Sequence, residues 1–109
     1  MLDPRTQRFV LGKLSAAIED MLYALSPRES IYRAYRDNLQ WLEDLDDLPG
    51  DLQCALRDLH GTDYRCKPAN RVAETGQRLS QLPDDAVAEL IHRFSQITVK
   101  LHSEPWRDT

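Results

Sequence analysis

Glu89 and His92 stand at the Glu-x-x-His spacing used by di-iron carboxylate bundles. That chemistry needs two such pairs and two further glutamates, all aimed into one core. This chain has a single pair, and it sits on the wrong face. Leu90 and Phe94 mark the inward side of the same segment, which places His92 roughly 160–200° around the helix. The pair reads as part of a solvated helix face, and no metal is expected.

Cys54, His60, Cys66 and His92 are residue types that zinc accepts, but none of the short paired spacings of a zinc site joins them. Cys54 reads as a buried thiol within a helix and His60 as a surface residue, with neither cysteine in a disulfide. Cys66 lies between Arg65 and Lys67, cations that favour a thiolate. No histidine stands near it in sequence to act as a base. The acidic run EDLDDLPGD (43–51) lacks the aspartate spacing and the glycine of a calcium loop. It reads as the end of one helix and the start of the next, both in water.

Arg65, Lys67, Arg71 and Arg78 form the one basic cluster, the candidate contact of a small nucleic-acid-binding regulator. A helix-turn-helix drawn through it is spoiled by segment 61–67, which is long for the turn of that motif. The formal net charge of −4 also argues against nonspecific binding to a polyanion. A Gly-rich phosphate loop, G-x-S-x-G and HExxH are all absent from the sequence. No catalytic residue and no cofactor is therefore expected. An enzyme or small-ligand binder without a motif, using a pocket near Tyr35 and Trp41, remains a further alternative.

The elements that must position these residues are helices. The 109 residues fit one domain large enough for a core of its own. Strand-like alternation is missing, and no apolar run reaches the length of a membrane span. The first ten residues lack the layout of a signal peptide, so the expected setting is the cytoplasm. Asp3-Pro4 starts a helix over about 4–25, striped by Leu11, Leu14, Ile18, Met21 and Leu25. Ser26-Pro27-Arg28-Glu29 combines a capping serine with proline at the first helical position. A proline inside one continuous helix costs about 3 kcal/mol, so the chain is expected to turn a corner there, the competing reading being one kinked helix.

The next helix covers about 27–45, with Ile31, Tyr35, Leu39, Leu42 and Leu45 inward, Tyr32 and Trp41 on its rims and Asn38 near the middle. Helices over about 48–60, capped by Asp46 or Asp47 and closed by Gly61, and about 68–81, weakened by Gly76, follow. Pro83 opens the last, about 83–103, with Val87, Leu90, Phe94, Ile97 and Leu101 inward; 104–109 is a tail. The fold class is all-α, a compact bundle of four to five helices, its first and last packed together.

The sequence carries more apolar surface than one core needs. Phe9, Ala16 and Tyr23 recur every seven residues, well around the first helix from its leucine stripe, with Gly12 and Ser15 beside them. Aromatic rims of this kind suit interfaces, and a polar residue such as Asn38 can fix register. The expected function is a non-enzymatic helical protein–protein interaction module, a homodimer by the same reasoning. Phe9, Tyr23, Tyr32 and Trp41 supply its contact area and Asn38 its register; the partner is protein or self.

Overall fold

The corner at Ser26 organises the bundle. In the computed structural model, which describes residues 3–23, 26–45, 48–61 and 71–103, Ser26 is extended (φ −135°, ψ 147°). Its hydroxyl accepts the Glu29 N–H at 3.2 Å, with Pro27 opening the new helix. Two helices meet there, α1 (Pro4–Tyr23) and α2 (Pro27–Asp37), and the kinked alternative is excluded. At the other end of α1, Asp3 Oδ1 accepts from Thr6 N–H at 2.7 Å. That bond, given by the backbone, holds the Asp3 carboxyl below its usual range.

After α2 the expected helix 27–45 breaks. Asn38 leaves helical geometry (φ −134°, ψ −55°), and Leu39–Asp44 continue as a 3₁₀ helix. Side chains satisfy the carbonyls that the break orphans. The Gln40 amide donates to Arg36 C=O, and the Trp41 indole N–H donates to Asp37 C=O at 3.2 Å. Asn38 donates its amide to Asp20 of α1 at 2.9 Å. The extra 3₁₀ piece brings the helical segments among the described residues to six, with no strand.

Helix α3 (Gly50–His60) starts two residues later than expected, because Pro49 is extended (φ −54°, ψ 144°) and disfavours helical geometry for Leu48 before it. The expected caps Asp46 and Asp47 lie outside the described residues. Gly61 ends α3 in the left-handed region (φ 79°), where glycine carries no Cβ penalty. Then come α4 (Arg71–Gln81) and α5 (Asp84–Ser103); residues 68–70 of the expected fourth helix are outside the described set.

Helix α1 packs on α2, the 3₁₀ segment and α5; α2 also meets α4 and α5, and α3 closes on α4 and α5. The core runs through Leu14, Ile31, Tyr35, Leu39, Leu52, Leu56, Leu59, Leu79 and Phe94. The α1 stripe is rotated from the expected one: Val10, Leu14, Ala17 and Met21 are buried, while Ile18 is only partly so. On α5 the expected residues Val87, Leu90, Phe94 and Ile97 are buried, and Leu101 packs partly against them.

Gly76 shows why α4 tolerates a poor helix former. A Cβ there would stand 2.7 Å from Tyr32 Cε1, so the close approach of α2 and α4 needs a bare backbone. At Gly12 a Cβ would meet nothing within 4 Å. The two alanine substitutions should therefore differ in sign. Gly12→Ala raises stability by about 1 kcal/mol through helix propensity. Gly76→Ala lowers it by about 1–3 kcal/mol through overpacking. Thermal unfolding of dilute samples reads both.

Candidate functional site

The groups best equipped for chemistry are enclosed where α2, the 3₁₀ segment, α3 and α4 converge. Tyr35 donates its hydroxyl to Glu43 Oε1 at 2.5 Å. His60 Nε2 meets the other carboxylate oxygen, Oε2, and its Nδ1 lies 2.8 Å from Thr75 Oγ1. With the carboxylate accepting from Nε2–H, Nδ1 of a neutral ring accepts from the Thr75 hydroxyl. The Tyr35 and His60 rings stand edge to face, centroids 5.0 Å apart. Arg71 completes the set, with Nε 3.6 Å from Glu43 Oε1 and NH2 3.5 Å from Asp44.

A Tyr–Glu–His–Thr chain has the parts of a proton relay. Here the Glu43 and His60 side chains are wholly buried, so the arrangement ties four elements together at one end of the core. Burial raises the Tyr35 hydroxyl far above its ordinary value, and its bond to Glu43 adds to this. The raised folded-state value means that the fold holds the neutral phenol while an unfolded chain releases the proton above about pH 10. Stability contributed by this group is intact below that pH and is lost as pH rises through the alkaline range. Tyrosinate absorbance should therefore show Tyr35 ionising only as the protein unfolds, and Tyr35→Phe should remove that part of the alkaline slope.

Three side chains stand other than their sequence pattern predicts. His60 was expected at the surface and Cys54 inside; His60 is buried and Cys54 is exposed. The acidic run was expected in water throughout, yet Glu43 is buried. Leu52, Leu56 and His60 share a four-residue spacing, as do Tyr35, Leu39 and Glu43, so the signal lay in the apolar stripes themselves.

Of the basic cluster, Arg71 faces the acids of the 3₁₀ segment, as above. Arg78 donates from Nε to Leu59 C=O and from NH2 to Asp58 C=O, both at 3.1 Å. It thus serves as a cationic cap on the C-terminus of α3. Both are engaged within the fold; Arg65, Lys67 and Cys66 lie outside the described residues. Glu89 and His92 are exposed on α5, and no three metal-ligating side chains cluster among the described residues. Tyr35 is buried while Trp41 is half exposed, so the pair expected beside a ligand pocket does not share one surface.

The aromatic candidates separate in the same way. Asn38 is buried and spends its amide on Asp20. Tyr32 is half-buried over Gly76, with the Arg36 guanidinium 6.0 Å from its ring centre. Phe9 stays exposed, with Lys13 Nζ 5.7 Å from its ring centre, and Trp41 stays half exposed. The side chain of Tyr23 is outside the described residues. Exposed with Phe9 and Trp41 are Leu22 of α1 and Val99 of α5, which fall off the leucine stripes and carried no weight in the sequence reading.

Helix α1 therefore has a second face. Arg5, Arg8, Phe9, Gly12, Ala16 and Glu19 fall within an arc of about 100°, nearly opposite Val10, Leu14, Ala17 and Met21. Between Arg8 and Glu19 the helix carries one charge, Lys13. On a neighbouring line Ser15 Oγ lies 3.0 Å from His102 Nε2 of α5, which marks where the bundle ends and the outer face begins. No described helix is long and apolar enough to cross a membrane. Compared with protein-family models, curated proteins and solved structures, the chain matches none.

Proposed function

We propose that this chain is a non-enzymatic, cytoplasmic association module that meets protein surfaces through its helices and works as a homodimer. The observation behind the reading is the amount of large apolar side chain left in water. Leu22 is 74 % exposed, Val99 65 %, Trp41 49 % and Phe9 43 %. Scattered singly, such residues are ordinary. Here three of the four stand on α1 and α5, which pack against each other, and exposed apolar side chains on adjoining helices suit an interface. The enclosed Tyr35–Glu43–His60 chain supports the same reading, because the fold uses its best acid–base groups to hold elements together.

Sedimentation equilibrium tests it. The mass should climb from that of one 12.6 kDa chain toward twice that value between about 10 µM and about 1 mM. A variant carrying Phe9→Ser and Leu22→Ser should keep its melting temperature, since both side chains are exposed, and lose the rise in mass. A single-chain mass at about 1 mM overturns the reading.

A further inference from the structure

We infer that the partner surface for α1 is α1 of a second copy, laid antiparallel across it; this rests on the association reading above and names its contact. The outer face of α1 is polarised along its length. Arg5 and Arg8 stand at its N-terminal end, Glu19 at its C-terminal end, and uncharged Phe9, Gly12 and Ala16 between them. All three charged residues are exposed, and among the described residues none has an ion-pair partner. The sequence offers none along the helix either: no acid stands three or four residues from Arg5 or Arg8, and no base at those distances from Glu19.

A surface with plus at one end and minus at the other complements itself only when the copy is reversed. A two-fold axis between Gly12 and Ser15 brings Arg8 of each chain over Glu19 of the other, with Arg5 behind it. A two-fold interface repeats every contact, so both ion pairs form at once. A parallel copy sets like charges against each other at both ends. The middle of the face is fit for contact: a Cβ on Gly12 would meet nothing of its own chain within 4 Å, leaving room for another backbone. Phe9 on one flank and Leu22 on the other are the apolar side chains that such a neighbour would cover. The face is about 30 Å long and about 10 Å wide. That is short of the roughly 800 Å² per partner of a standard interface, so the pair should exchange with dilution.

Charge reversal tests the pairing on the full chain. Arg8→Glu should weaken the dimer about tenfold or more, because it turns two attractions into two repulsions, and Glu19→Arg should do the same. The chain carrying both reversals should recover to within about threefold of the parent, since plus again meets minus. Raising salt should weaken the parent dimer. Melting temperatures of the dilute variants should stay level, as neither side chain has an ion-pair partner among the described residues. A dimer whose dissociation constant ignores both single reversals overturns the antiparallel α1 contact and leaves the association reading standing. A chain that stays single at about 1 mM overturns both.

Discussion

Glu43→Ala should lower the free energy of unfolding by about 3 kcal/mol or more. The substitution removes the acceptor shared by the Tyr35 hydroxyl and His60 Nε2, and with it one of the two carboxylates beside Arg71. Groups buried around a vanished acceptor keep the cost of having left water. The cavity adds to that cost, since the Glu43 side chain is wholly enclosed. At about 4 °C per kcal/mol for a chain of this size, the melting temperature should fall by more than about 10 °C. His60→Ala should be destabilising in the same range. The two together should cost less than their sum by about 1 kcal/mol, because the second removal has no intact pair left to break. Strict additivity in denaturant titrations would remove the network from the account of stability.

Phe94→Ala should cost about 3–5 kcal/mol. Phe94 is the largest apolar side chain of α5 and is fully buried, in the helix that α1, α2 and α3 all pack against. Neighbours held by three helices cannot close in on the space it leaves. Phe9→Ala offers the contrast. The residue type is the same and the helix equally long, but much of the ring is in water, so the change in stability should stay within about 0.5 kcal/mol. Its effect should appear in association instead. A comparable loss at both positions would mean that the outer face of α1 is part of the core.

The regular features of this fold were legible because local chemistry decides them. Asp3-Pro4, Ser26-Pro27 and Gly61 mark helix ends through bonds to the nearest turn, and the α5 stripe of Val87, Leu90, Phe94 and Ile97 needs only a 3.6-residue period. The α1 stripe was read slightly off. Apolar residues lie on several sides of that helix, so the leucines could not show that Val10 and Ala17 face the core and Leu22 does not. The break at Asn38 was hidden because its cause is tertiary. Asn38 is drawn to Asp20 on another helix, and Gln40 and Trp41 serve carbonyls that are orphaned only after the break. Glu43 continues the four-residue spacing of Tyr35 and Leu39, but the acids around it outweighed that stripe, and its partners Tyr35 and His60 lie on other elements. His60 was misplaced for a related reason: its stripe with Leu52 and Leu56 was visible, but its partners Glu43 and Thr75 come from separate elements. The basic residues looked available because Arg71 and Arg78 find their acceptors across the fold. Phe9, by contrast, was legible, because few other elements compete for the outer face of the first helix.

Backbone amide spectra recorded from about 20 µM to about 1 mM test most directly where copies of this chain meet. Concentration-dependent shifts gathered on residues 5–22 of α1, with small changes along the adjoining C-terminal turns of α5, are the expected result. Spectra that do not change with concentration, or shifts centred on Trp41 or on α3, would contradict it.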